Sequence, residues 1–318
     1  MMVHESRVVD DASVRWIENH WSASPSADGQ PLSFEFANIP FDYAVSHRPG
    51  TRFGPGAIVK ALNGYSLYCV DKRINLEGTH FHHRGDVDVV HSLEESYRNI
   101  QRFTADLPPH VHPVFFGGDH SITDPLVRGM KERLGGRSFG LIIFDTHFDS
   151  RKPVRGKEHS GHWIYTLRDV IDYGVVVQLG LSAPIYSEQY MRTAEEQGIL
   201  VRTPYEIRRQ GWRETLLEAM EHALAGTDGI YISVDIDSID QAFAPGTSVP
   251  NPCGFLAYEV VDAIFEISAA APVFGLDITE VSPPLDHLDA TAHLAAQIAL
   301  NHVAGVVCRT ALTGRRGL

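Results

Sequence analysis

The chain has 318 residues, 43% of them hydrophobic, and 27 basic against 40 acidic side chains give a formal charge of −13. That length supports one large core or two moderate domains. An acid excess with no block of Lys or Arg argues against a nucleic-acid or membrane-surface partner and suits a small cationic substrate. Three scattered cysteines, Cys69, Cys253 and Cys308, indicate neither a disulfide framework nor a zinc knuckle. The first residues, Met1–Arg7, lack the apolar core of a signal peptide. No apolar run approaches the ~20 residues needed to span a bilayer, so a cytoplasmic protein is expected.

In chain order, residues 1–33 read as an N-terminal arm, with a helix around Ala12–His20 and the turn-rich loop Ser22–Gly29. From Phe34 onward, residues 34–318 form one domain in which apolar runs alternate with amphipathic ones. The turn-formers of Ser46–Gly56 cap a helical run, Ala57–Leu62. Strands are expected at Val114–Phe116, Phe139–Phe144, Val175–Leu179, Gly229–Val234, Val273–Leu276 and Val306–Cys308. Helices are expected at Leu126–Leu134, Glu188–Gln197, Trp212–Leu224, Ala257–Ala270 and Ala290–His302. Strands separated by helices imply parallel crossovers with helices on both faces of a sheet.

Polar residues with metal-ligand chemistry follow four of these strands. Asp145-Thr146-His147-Phe148-Asp149 succeeds the run Gly140–Phe144; if extended, residues 145, 147 and 149 share one side. Asp235 and Asp237 likewise share a side after Ile230–Val234, and two such carboxylates repel unless a cation lies between them. Gly117-Gly118-Asp119-His120-Ser121 adds His120, with a glycine pair that permits close backbone approach. Asp240 reads equally as a turn or cap residue and as a ligand, and is left out of the ligand set. His120, Asp145, His147, Asp149, Asp235 and Asp237 thus supply six side chains, four of them carboxylates, a set that favours manganese-like ions over structural zinc. Six ligands exceed what one open catalytic ion takes and fit a pair of ions.

These motifs, with Ser233-Val234-Asp235-Ile236-Asp237, Ala244-Pro245-Gly246-Thr247 and Asp277-Ile278-Thr279-Glu280, closely resemble the ureohydrolase family of arginases, agmatinases, guanidino-acid hydrolases and formimidoylglutamases. The resemblance runs from about Phe34 to Val307 and includes the loop Pro49–Pro55. It implies a three-layer α/β/α fold around a mostly parallel, eight-stranded sheet, a homo-oligomer (trimer or hexamer), and two divalent ions, manganese or in some members nickel. By motif position, His120, Asp149, Asp145 and Asp237 would hold one ion, and His147, Asp145, Asp235 and Asp237 the other. Glu280 would bind the substrate's guanidinium, and His159, with His162 as its rival, would shuttle a proton. Arg151 and Trp163 are further substrate contacts, and Arg151, Lys152, Arg155 and Lys157 could pair with a substrate carboxylate. The run Asp240-Gln241 and the Asp149-Ser150-Arg151 pattern are shared with formimidoylglutamase-like members.

The expected reaction is metal-dependent hydrolysis of a linear guanidino compound to urea and an amine, with agmatine the default substrate and a guanidino acid, guanidine or a biguanide as variants. Formimidoylglutamate hydrolysis releasing formamide is the nearest alternative. More distant ones are a single-zinc deacetylase of the same general fold and a silent subunit supporting a paralogue in a hetero-oligomer.

Overall fold

The structure, a computed structural model, describes residues 13–27, 32–154 and 158–314. The strands are β1 (Trp21–Ser22), β2 (Ser33–Asn38), β3 (Tyr68–Cys69), β4 (Ile74–Asn75), β5 (His80–Asp86), β6 (His112–Phe116), β7 (Gly140–Phe144), β8 (Val176–Leu179), β9 (Leu200–Arg202), β10 (Ile230–Asp235) and β11 (Val273–Thr279). The helices are α1 (Gly54–Asn63), α2 (Leu93–Ala105), α3 (Thr123–Arg133), α4 (Trp163–Thr166), α5 (Glu188–Glu196), α6 (Pro204–Gln210), α7 (Trp212–Ala223), α8 (Ala257–Ala270) and α9 (Ala290–Thr313).

One nine-stranded sheet, in the order β1-β5-β2-β6-β11-β10-β7-β8-β9, organises the molecule, and each of its pairings is parallel. Its central strands are apolar along their whole length because both faces are covered: β6, β7 and β8 are buried at every position. On one face α1 and α6–α9 pack with Phe36, Phe116, Ile232 and Leu276. On the other, α2–α5 pack with Phe115, Ile143, Tyr231 and Phe274. The fold is thus a three-layer α/β/α sandwich. The sheet has nine strands rather than the eight expected, and its two-residue edge strand β1 lies within the stretch read as an arm and pairs with Phe81–His82.

Three expectations are corrected. Val306–Cys308 is not a strand: it lies within α9, whose alanines Ala295, Ala296, Ala299 and Ala304 favour helix and outweigh a short β-branched run. α9 is also long and apolar enough, by length and composition, to cross a membrane, contrary to the reading that no run is. About 72% of its most apolar window is buried, against α8 and α1, so its apolarity belongs to a core helix. Of the helix expected at 12–20, Ala12 lies outside the described residues and the rest yields only a 3-10 turn at Ile17–Asn19.

Two histidines are buried beneath the sheet. His112 opens β6, and His302 in α9 shares a hydrogen bond with Ser268 Oγ (2.9 Å). Both are pushed down from 6.5 to about 3, His112 by burial and then by His302, Arg133 and Arg309, and His302 by burial. They stay neutral when folded but protonate near 6.5 when unfolded. The folded chain then binds fewer protons, and stability is lost as pH falls from 6.5 towards 3. The loss at pH 5 is about 2 kcal/mol per histidine. Urea titrations at pH 7 and pH 5 should show His112→Leu losing about 2 kcal/mol less stability over this range than the parent, whatever the other groups contribute; equal pH dependence in the two chains would refute the assignment.

Candidate metal centre

The sheet register carries the site. Phe116 aligns with Ile278, Ile278 with Val234, and Val234 with Phe144. Four adjacent strands, β6, β11, β10 and β7, therefore end level, and the residues that follow them emerge together at the carboxyl rim. The chain passes from β6 to β7 across two strands added later, a change of direction of the kind that opens a crevice at this rim.

The side chains do not converge by strand alternation, as the sequence pattern suggests. Strand β7 ends at Phe144, and the chain bends over residues 146–147, with the His147 amide donating to Asp145 Oδ1 (2.6 Å). After β10 a 3-10 turn at Ile236–Ser238 folds Asp237 back, its amide donating to Asp235 Oδ1 (2.8 Å). In each case a carboxylate caps its own turn and keeps its other oxygen for the site. His120 enters through another 3-10 turn that Asp119 caps. The glycine pair before it is needed for close packing: a Cβ on Gly118 would lie 1.6 Å from the Phe41 carbonyl oxygen. Asp119 holds the neighbouring loop by accepting from the Ala44 amide (2.9 Å). Asp240 is a turn residue, accepting from the Ala242 and Cys253 amides.

All six sequence-selected side chains meet. His120 Nδ1 lies 3.0 Å from Asp145 Oδ2, 3.2 Å from Asp235 Oδ2 and 3.4 Å from Asp149 Oδ2. His147 Nδ1 lies 2.9 Å from Asp237 Oδ2 and 3.6 Å from Asp145 Oδ1. The halves differ from the division implied by the resemblance: Asp235 sits beside His120 and Asp237 beside His147, because the turn at Ile236 carries Asp237 outward.

Electrostatics favour a cation within the cluster. Burial, then Asp237 and Asp145, push Asp235 well above the carboxylate range, and burial followed by Asp145 raises Asp149. Asp237 is pushed up to about 7, chiefly by burial. Burial also opposes the charge on Asp145, but His120 and His147 outweigh it and hold Asp145 at about 2. His120 Nδ1 and Asp145 Oδ2 are both buried and lie 3.0 Å apart. The ligand atoms fall into two groups, His120/Asp145/Asp149 and Asp145/His147/Asp237, an arrangement that fits two metal ions.

A cavity opens on this cluster, lined by His147, Asp149, Asp235, Asp237, Glu280, Arg151 and His159, with Ser46, Tyr186 and Ser248 among the rest of its wall. Glu280 adopts a left-handed backbone (φ 64°) and accepts from the His120 amide and Ser248 Oγ, each at 2.9 Å. Burial, then Asp235 and Asp119, raise its pKa well above the usual range. His159 faces the cavity, and burial, His162 and Arg151 lower its pKa. His162 packs behind it at 3.9 Å between ring centroids and donates Nδ1–H to the Arg151 carbonyl (2.8 Å).

Trp163 is corrected as a substrate contact. It is 2% exposed and lies behind the cluster, its ring tilted against His120 (4.9 Å between centroids), with its indole N–H donating to Asp149 Oδ2 (3.1 Å). Arg151 stands over the Tyr186 ring (5.4 Å) at the cavity wall, Lys152 is exposed, and Arg155 and Lys157 lie outside the described residues. Tyr186 and Ser248 were missed. Ser248 directly follows the Ala244–Thr247 motif, a signal that could have found it, whereas nothing local marks Tyr186.

Comparison with known proteins places this geometry. Residues 33–305 match the model of the arginase family. A formimidoylglutamase of Halalkalibacterium halodurans is 29% identical over 311 residues, covering 93% of this chain and 96% of that protein. A guanidinobutyrase of Pseudomonas aeruginosa is 31% identical, with 86% of each chain covered. The crystal structure of formimidoylglutamase from Bacillus subtilis superposes with a TM-score of 0.86 at 28% identity, over 95% of this chain and 94% of that one.

The Trp163 contact yields a test. Trp163→Phe keeps an aromatic ring against His120 but deletes the N–H that orients Asp149. Manganese affinity measured by isothermal titration calorimetry should drop roughly tenfold. An affinity equal to the parent's would mean that the indole only fills space.

Proposed function

The chain belongs to the arginase family and is a hydrolase of linear amidine or formimidoyl groups; from that premise we propose that its substrate carries a carboxylate tail, as a formimidoyl amino acid or a guanidino acid does. The observation that carries this reading is Arg151, whose guanidinium lies over Tyr186 in the wall of the cavity that holds the carboxylate cluster. A planar cation fixed against an aromatic ring pairs bidentately with a carboxylate and repels the free ammonium of agmatine. Agmatine is therefore replaced as the default substrate. Relatives named for formimidoylglutamate and guanidinobutyrate are compatible with this choice, and relatives named agmatinase stand beside them.

In this reading the amidine head lies over the cluster and the tail reaches Arg151. Two divalent ions, with manganese favoured by the carboxylate and imidazole donors, supply Lewis acidity and a water of lowered pKa. His120, Asp145, Asp149 and Asp235 would hold one ion, and His147, Asp145 and Asp237 the other. Glu280, oriented by the His120 amide and Ser248, accepts the N–H groups of the amidine and fixes its carbon. Water adds to that carbon, and the bond to the substrate's chain nitrogen breaks. His159, held neutral at pH 7 by its lowered pKa, accepts the proton released from water and returns it to the departing amine. His162 instead steadies the loop through Arg151. A guanidino acid gives urea and an amine; a formimidoyl compound gives formamide and an amine.

Two clusters of ligands count against the single-zinc deacetylase alternative, and six filled ligand positions count against a silent subunit.

The test is a panel of formimidoylglutamate, guanidinobutyrate and agmatine with manganese-loaded protein, scored for formamide and urea. An acid-tailed compound should lead agmatine at least tenfold in kcat/KM. Arg151→Met should cut kcat/KM for that compound by about 10- to 100-fold, from the loss of a charge-assisted hydrogen bond, mainly through KM. Asp237→Asn should abolish turnover. Preference for agmatine, unaffected by Arg151→Met, would refute the carboxylate assignment while leaving the family reading intact.

A further inference from the structure

One buried carboxylate beside the cluster has no part in the scheme above. Asp277, within β11, is fully buried. Its Oδ1 accepts from Ser233 Oγ at 2.7 Å and from Thr123 Oγ1 at 3.3 Å, and its Oδ2 accepts from the Tyr231 hydroxyl at 2.8 Å. Ser233 Oγ in turn lies 3.0 Å from His120 Nε2. Three hydroxyls thus surround a carboxylate that ligates nothing, and one of them connects it to the most buried imidazole of the site.

The chemistry of these groups orders the chain of hydrogen bonds. An ionised carboxylate only accepts, and a serine has a single hydrogen to donate. Ser233 gives that hydrogen to Asp277 and can offer His120 only a lone pair. His120 Nε2 must then carry a ring proton, so the neutral ring that binds a metal presents its lone pair at Nδ1, facing Asp145, Asp149 and Asp235. We infer that Asp277, acting through Ser233, is a positioning residue that fixes the tautomer of His120 and so makes it a competent metal ligand. A ligating histidine gains both orientation and basicity when its second nitrogen donates to a fixed acceptor. The adjacent strands make the relay rigid: Ser233 pairs directly with Asp277 in the β10–β11 ladder. This inference rests on the two-metal reading of the cluster.

Asp277→Asn tests it with little change in volume. The new amide can donate to Ser233, whose hydrogen then turns to His120 Nε2 and drives the ring proton to Nδ1, where coordination would occur. Manganese is titrated into metal-free protein and the free ion followed by electron paramagnetic resonance. The parent chain should bind two ions. Asp277→Asn should weaken one of them by about 10- to 100-fold and leave the other within about twofold. Ser233→Ala, which removes the relay but keeps Asp277, should weaken the same ion, and it carries the test if the asparagine variant does not fold. Two ions bound with parental affinity in Ser233→Ala, or equal weakening of both ions in Asp277→Asn, would overturn the relay. A parent chain that binds no manganese would overturn the metal reading itself, a failure distinct from either.

Discussion

Everything at the carboxyl rim depends on one constraint: Asp145, Asp149, Asp235 and Asp237 are buried within reach of one another and cannot all be ionised there without cations. Burial opposes charge on His120 and His147, but the carboxylates outweigh it, so without ions the two imidazoles offset part of this charge. The cost of assembling the cluster is met when divalent ions occupy it, so binding and catalysis share one origin. The same concentration of negative charge explains why Glu280 must be held by the His120 amide and Ser248 rather than left to find its own partner.

Holding such a cluster requires a support that does not relax, and the sheet supplies it. Four parallel strands end in step, and each carboxylate at a strand end caps its own turn before facing the site. A second ring of groups then limits the freedom of the first: Trp163 on Asp149, Ser233 on His120, and Asp119 on the loop bearing Ser46. The left-handed backbone of Glu280, which is costly for a residue with a side chain, is a local strain that the neighbouring strands maintain.

The specificity wall is built differently from the metal floor. Arg151 and His159 stand on connections between β7 and α4 rather than on strands, and Tyr186 comes from the connection after β8. Loops can change without disturbing the rim, which accounts for one family accommodating guanidino and formimidoyl compounds of different length on one catalytic floor.

Much of this was legible in the chain itself. Apolar runs of strand length followed by Asp and His at short spacing identified β6, β7, β10 and β11 and all six members of the cluster, because burial on both faces and metal-ligand chemistry each leave a local mark. Short edge strands such as β1 and β9 leave too little pattern to read; the inner strands β2 and β5 also went unread, because Glu35, Asn38, His82, His83 and Arg84 interrupt their apolar runs; and the Val306–Cys308 run was misplaced because β-branched residues are tolerated in a helix whose other positions pack well. The sequence by itself thus determined the layered architecture and the identity of the clustered side chains. Only the tertiary structure decided that Asp235 rather than Asp237 stands beside His120, that Trp163 backs the cluster instead of meeting the substrate, and that Asp277 reaches His120 through Ser233. Those outcomes depend on turns and on contacts between residues far apart in the chain, and such contacts exist only once the strands are in register.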